Sequence, residues 1–290
     1  WLERRGIDGE DVSGKTVFDF FPEDLADAMA AEDAAIVKTG TPILGRERKL
    51  VLKADGEPGS TQWISLTKMP MRDSSGQVIG TVGISRDITG QVTAARRREM
   101  EHAVTRVLAE AMSFDSAIPR ILQVVCEGLQ LTCGAYWQWD GPAELLRCVQ
   151  TWHVESPGVA DFVAASRDSV NEAPPWKGRA PGTRTGGVVR NVWLSGAPMW
   201  IPDVSRWPDF RRGPAAARAG LHCAFGFPVL AGEQPLGVME FFSRDIQEPD
   251  EVLLQAVRAI GSQIGQFIQR VEAEQALRTS EERYRDVFEA

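Results

Sequence analysis

The chain has 290 residues, 43% of them hydrophobic, which is enough for about two domains with ordinary cores. A formal net charge of −8, with no basic run longer than Arg96-Arg97-Arg98, argues against a nucleic-acid-binding surface. No apolar run approaches the roughly 20 residues that span a bilayer, and no signal-peptide pattern is present. Cys126, Cys133, Cys148 and Cys223 are scattered without a C-x-x-C pair, as expected of reduced cytoplasmic thiols and not of a disulfide frame or zinc site.

The sequence starts at Trp1 without a methionine and stops inside a helical pattern at Ala290, so we expect a piece of a longer protein. Pro22 to Thr39 reads as a helix, with Pro22 near its first turn and Gly40 just past its end. Ile43–Val51, Gln62–Arg72 and Val78–Ser85 alternate as strands, and Asp73-Ser74-Ser75-Gly76 is a hairpin turn signal. The residues GKTVFDFFPED, KTGTPI, WISLTKMPMRD and SSGQVIGTVGISRDIT, in this order, closely resemble the second half of a PAS sensor domain. The resemblance implies that the domain begins before Trp1 and that its sheet is incomplete here. It also implies that Asp87, Ile88 and Thr89 tie the last strand to the outgoing helix and pass strain into it. Asp87 or Thr89 can cap that helix, a contribution of about 1 kcal/mol. Residues 1–90 contain no histidine or cysteine, so neither an axial His or Cys for haem nor a flavin-thiol link is expected. Met29, Met69 and Met71 read as core.

Asp87 to Ala111 reads as one long polar helix. From Met100 its apolar residues fall at Met100, Val104, Val107, Ala111, Phe114 and Ile118, alternating steps of four and three. Leu253, Val257, Ile260, Ile264, Phe267 and Val271 repeat the pattern near the far end. This is coiled-coil spacing, and it leads us to expect a parallel homodimer with Met100, Val104, Val107, Ala111, Ile260, Ile264, Phe267 and Val271 as its seam; the alternative is that both helices pack on their own domains, as expected from Phe114 onward.

After Ser113, where Asp115 or Ser116 is the expected cap, the chain alternates helices and hairpins. A helix reaches Leu129, and strands cover Gly134–Trp139 and Glu144–Val154. A Pro- and Gly-rich loop follows, with a short helix near Val159–Arg167, then a helix over Gly187–Ser195 and a strand over Met199–Val204. A short basic helix at Phe210–Ala219 leads to a hairpin of His222–Leu230 and Gln234–Phe242, and the last long helix begins at Pro249. Such an order fits antiparallel sheets with helices, an α+β fold. GAYWQWDG, GGVVRNVWLSGAPMWIPDV, AFGFPVLAGEQPLGVMEFFS and EPDEVLLQAVRAIGSQIGQFI closely resemble a GAF domain, and ALRTSEERYRDVFEA looks like the opening of another PAS domain. The implied organisation is a PAS-like domain at 1–88, a helical linker at 89–112, a GAF domain at 113–271, and a linker helix with the start of a further PAS domain at 272–290. Long coiled-coil-type signalling helices join them.

No nucleotide-binding glycine pattern or cyclase signature occurs, and His102 lacks the flanking residues of a phospho-acceptor. His222 precedes Cys223, the reverse of the bilin-binding order, and no Asn-Lys pair of the cyclic-nucleotide type exists. Cys126, with apolar flanks, reads as inert core, unlike the paired cysteines of GAF-type sulfoxide reductases. His153 and His222 read as structural groups and not as metal ligands. Trp137 and Trp139 share a strand face as core, while Trp200, Phe210, Cys223 and Phe225 are the expected lining of a pocket for an unknown small ligand.

No cofactor and no catalytic residue is expected. By resemblance the chain is a cytoplasmic sensory input module feeding a histidine kinase, or a diguanylate cyclase, in the same polypeptide. It would sense a small ligand or redox state and transmit by movement of dimeric helices. The competing readings are a dimerisation scaffold with filled pockets and a thiol-based redox enzyme.

Overall fold

The computed structural model describes residues 14–52, 60–172, 187–207, 210–245 and 250–289. The polypeptide divides at Gly90 into two compact units, each an antiparallel sheet with helices.

In the first unit a 3-10 turn at Val17–Asp19 precedes α1 (Glu23–Thr39). The helix stops at Gly40, whose φ of 66° is a left-handed conformation that glycine adopts without strain. The strands β1 (Ile43–Leu52), β2 (Ser60–Arg72) and β3 (Val78–Asp87) follow in spatial order. Asp73 shapes the β2–β3 turn, its carboxylate accepting the N–H groups of Ser75 and Gln77. One sheet face carries the buried Ile64, Leu66 and Lys68. There the Lys68 ammonium lies 2.8 Å from Asp33 of α1, and Glu32 pairs with Arg46 and Arg48. Ion pairs therefore supplement a small apolar core of Ala26, Ile36, Leu50, Ile64, Leu66 and Ile88. The other face differs from expectation. Met69 and Met71 are about half exposed, beside exposed Val82 and Ile84, because Met69 pairs with Val82 on the face turned away from Lys68.

The second unit starts along α2 (Thr89–Glu110) and includes α3 (Phe114–Leu129), β4 (Cys133–Asp140), β5 (Leu145–His153), α4 (Val159–Arg167) and β6 (Val170–Glu172). It continues through α5 (Val188–Ser195), β7 (Met199–Ile201), α6 (Gly213–Arg218), β8 (Cys223–Ala231), β9 (Gln234–Ser243) and α7 (Glu251–Glu289). The six strands run β6-β5-β4-β9-β8-β7 and every neighbouring pair is antiparallel. Side chains of α2, α3 and α7 share one buried cluster with one face of this sheet. Those of α4, α5 and α6 share a second cluster with the opposite face.

Local chemistry sets the element ends. Ser113, and not Asp115 or Ser116, caps α3, accepting the N–H of Ser116 at 3.3 Å. Asp250 caps α7 by accepting the N–H groups of Val252 and Leu253 at 3.0 Å. The expected helix-initiating Pro249 and most of the Pro/Gly-rich loop (173–186) lie outside the described residues. The strand expected through Val204 ends at Ile201, because Asp203 caps a 3-10 turn at Val204–Arg206. Gly261 and Gly265 let α7 lie directly on β8: a Cβ there would stand 2.2 Å from the Pro228 carbonyl oxygen and 2.1 Å from that of Leu230.

The expected seam residues are accounted for within this chain. Met100, Val104, Val107 and Ala111 of the α2 side, and Ile260, Ile264, Phe267 and Val271 of α7, are all 6% exposed or less and belong to one core cluster with α3 and the sheet. A four-three stripe fits any single partner surface, and here that surface is the chain's own sheet and α3, so no face of these residues is left for a second copy. Burying Val104 and Val107 contributes roughly 1.5–3 kcal/mol each. The double variant Val104→Asp, Val107→Asp is accordingly expected to lose the cooperative melting of the second unit, with a destabilisation above about 4 kcal/mol. A folded monomer with unchanged melting, seen by circular dichroism and light scattering, would restore the dimer-seam reading.

Candidate functional site

Glu240 lies on β9 opposite Ala135 of β4 and Gly226 of β8, two of the smallest residues. It therefore has space on the face covered by α4, α5 and α6, and it is fully buried there. Arg212, at the start of α6, reaches in over the sheet. Its Nη1 lies 2.7 Å from Glu240 Oε1 and its Nη2 donates to Glu240 Oε2 at 2.8 Å, a two-pronged pair of the kind guanidinium and carboxylate favour. Nη1 also donates to the buried Ser166 hydroxyl of α4 at 2.7 Å, and the Trp137 indole donates to Glu240 Oε1 at 2.8 Å. The rings of Trp137, Phe162, Phe210 and Phe242 stand 5.2–5.5 Å from the guanidinium carbon. A cation in an aromatic box with a carboxylate floor is the chemical character of this site. Further along the same strand face, the Trp139 indole N–H is buried with no acceptor among the described residues, its ring 5.6 Å from that of Trp193.

Sequence reading placed a pocket at Trp200, Phe210, Cys223 and Phe225, and the sheet separates these residues. Trp200 pairs with Phe225 across β7 and β8, with rings 5.2 Å apart and nearly parallel, on the face of α3 and α7. Cys223, buried two residues before Phe225, shares its strand parity. Phe210 lies on the opposite face, against Arg212 and Phe242. Only Phe210 belongs to the polar site. Arg212, Glu240 and Ser166 were missed. The available signal was Glu240 itself, a single carboxylate within the apolar run Gly237-Val238-Met239-Glu240-Phe241-Phe242, since a charge in a central strand requires a partner.

At the end of the first unit, Asp87 accepts the Thr89 N–H at 2.9 Å and the Gln62 amide at 2.7 Å. Thr89 Oγ1 accepts the Trp63 N–H at 2.8 Å, and the Ile88 N–H bonds the Trp63 carbonyl at 2.9 Å. Ile88 is buried between them. The three expected junction residues thus clasp the first turn of α2 to β2.

Three of the four thiols are unfavourable nucleophiles, and the fourth, Cys223, is buried. Burial raises Cys126, Cys133 and Cys148, the last to about 12, and Glu240 adds to the effect at Cys133 and Cys148. His222 lies 3.2 Å from Asp203 and His153 bonds the Val154 carbonyl, so each ring has a structural partner.

The class defined by this architecture is α+β, with a polar centre enclosed between an antiparallel sheet and short helices. A GAF domain model matches residues 111–269, and a PAS fold model matches residues 1–93. The chain belongs to the GAF domain family, with a PAS domain preceding the GAF domain, and these are sensory or regulatory modules. No curated protein matches it in sequence. Among solved structures it is similar to the GAF domain of a phosphoenolpyruvate-protein phosphotransferase from Coxiella burnetii. There the identity is 14%, with 63% of this chain and 98% of that one covered and a TM-score of 0.51. It is also similar to a free methionine-R-sulfoxide reductase from Neisseria meningitidis (14% identity, 63% and 93% covered, TM-score 0.47). A third is the nlh2 GAF domain of A. aeolicus (17% identity, 61% and 98% covered, TM-score 0.46). At 14% identity the likeness to the first of these establishes the fold alone.

Two measurements test the site's chemistry. Glu240→Gln keeps the shape but leaves Arg212 a buried, uncompensated cation, with an expected loss of about 3–5 kcal/mol in urea unfolding. Replacing both partners (Arg212→Met with Glu240→Leu) is expected to lose less than that single change, and a single-variant loss under about 1 kcal/mol would refute the ion pair's role. Separately, a disulfide reagent near pH 8 should label the native thiols slowly and the unfolded ones at once, since little thiolate exists below the raised pKa values. Rapid labelling of any native thiol would revive redox catalysis.

Proposed function

We propose that this chain is the sensory input and relay portion of a larger cytoplasmic signalling protein, a sensor histidine kinase. The GAF unit receives a small ligand at its caged site, and the helices entering and leaving it carry the response in a homodimer. The observation that supports the relay is the course of α7. It leaves the core after Val271 and continues to Glu289, with every described side chain from Glu272 to Arg285 exposed. On that stretch Ala273, Leu277, Ser280 and Tyr284 repeat the four-three spacing, and Leu277 and Tyr284 are 62% and 67% exposed. An isolated polar helix carrying such a stripe is stabilised by a partner helix. This exposed stripe supports a homodimer contact beyond the folded unit, in place of the buried residues first expected to form it. At the other end α2 starts at the Asp87-Ile88-Thr89 clasp, so a change in the PAS sheet reaches the helix through hydrogen bonds.

The scaffold reading draws on a separate observation, namely that Arg212 fills the cage. Native mass spectrometry of the intact chain separates the two: a co-purifying small molecule supports sensing, and its absence under all growth conditions supports the scaffold.

For the relay, Leu277→Asp with Tyr284→Asp is expected to weaken dimerisation by at least about tenfold while leaving the melting of both units unchanged. Sedimentation that finds an unaltered dimer, or a wild-type monomer, would remove the C-terminal stripe as the contact.

A further inference from the structure

The cage has the composition of a binding site whose occupant is part of the chain. Its walls stand on regular elements: Trp137 on β4, Phe162 and Ser166 on α4, and Glu240 and Phe242 on β9. Its occupant does not. Arg212 precedes α6, a six-residue helix whose buried residues are only Ala215 and Ala216. Two alanines remove little apolar surface from water, at about 25 cal/mol per Å², and the flanking Phe210, Ala219 and Leu221 add buried surface on either side of the helix. The segment carrying the guanidinium is thus held by these few side chains together with the guanidinium's own interactions, whereas the receptor side is held by the sheet. A planar cation that donates twice to Glu240 and once to Ser166 and lies among the rings of Trp137, Phe162 and Phe242 reproduces the contacts Arg212 makes with the receptor side. The Trp139 indole N–H, on the same strand face and without an acceptor among the described residues, offers a donor to a polar atom elsewhere on such a molecule.

We propose that the GAF unit is a receptor for small guanidinium-type organic cations and that Arg212 is its tethered competitor. Binding of the free cation at Glu240 expels Arg212, and α6 then leaves the face it covers. Ligand occupancy is thereby converted into release of a short surface helix. The proposal rests on the reading of this unit as a small-molecule receptor and adds the ligand class and the switch.

The test uses the full chain and ethylguanidinium chloride as probe, at about 10 mM, with sodium chloride at equal ionic strength as control. In Arg212→Ala the cage is vacated and Glu240 unpaired, so the probe is expected to raise the melting temperature by about 3 °C or more. Adding Glu240→Gln should abolish the rise. In wild type the probe should speed amide hydrogen exchange at 213–218 and leave exchange in β4 and β9 unchanged. A folded Arg212→Ala protein that gains no stability overturns the proposal. Where that variant does not fold, unchanged exchange at 213–218 in wild type overturns it equally. Either failure, alongside a different co-purified molecule in wild type, leaves the receptor reading standing and removes only the cation and its competitor.

Discussion

The second unit is organised by a single buried charge. Glu240 stands on a central strand with no solvent access, and an isolated carboxylate there would be worth several kcal/mol of destabilisation or would have to protonate. Much of the architecture on that face follows from satisfying it. Small residues at Ala135 and Gly226 leave room beside the carboxylate, Trp137 turns its N–H inward, and α4 contributes Ser166. The turn before α6 places Arg212 over the sheet. Aromatic rings that surround the guanidinium shield the pair from water, which strengthens it, while their faces offset part of the cation's desolvation. Apolar residues of similar volume would stabilise such a centre as well or better. Net stability alone therefore does not account for a desolvated pair at the middle of the sheet.

The opposite face obeys a different constraint. There α2, α3 and α7 share one apolar cluster with the sheet, and the separation of α7 from β8 is set by backbone proximity. Two glycines in α7, each less favourable in a helix by about 1 kcal/mol than alanine, are retained because the β8 carbonyls occupy the space a side chain would need. The aromatic row Trp200, Phe225, Phe241 and Phe227 stacks beneath this helix layer at centroid separations of 5.2–5.9 Å. One sheet thus presents a dry, helix-bearing face and a face with a polar centre, and strand alternation alone decides which residue serves which.

That alternation explains what was readable from residues and what was not. Helices and strands were legible because their periods differ, and Gly40, Asp73 and Gly76 marked ends with a local chemical reason. The PAS and GAF segments were legible from ordered motifs. The pocket was not, because aromatic residues close in sequence were grouped without regard to parity: Trp200 and Phe225 face α7, and Phe210 faces Arg212. The stripe at Met100, Val104 and Val107 was read correctly as a narrow apolar seam but assigned to another chain. Spacing specifies the width of a buried surface and carries no information about which molecule buries it. Arg212 could not be matched to Glu240 from sequence, since 28 positions separate them and nothing local marks the pairing.

Exposure resolves the ambiguity that spacing leaves. The same four-three rhythm occurs at Val257, Ile260 and Ile264, all 2% exposed or less, and at Leu277 and Tyr284, both more than half exposed, along one uninterrupted helix. The first set is saturated by the sheet and α2. The second has no surface of its own unit to cover, and a helix of this polarity gains little from intrinsic propensity in its last turns. One helix therefore carries a buried stripe and an exposed stripe in succession. The helix between the two stripes has no proline and no break. The last glycine of α7, Gly265, lies on the buried side of Val271, so the stretch that leaves the core carries neither glycine nor proline.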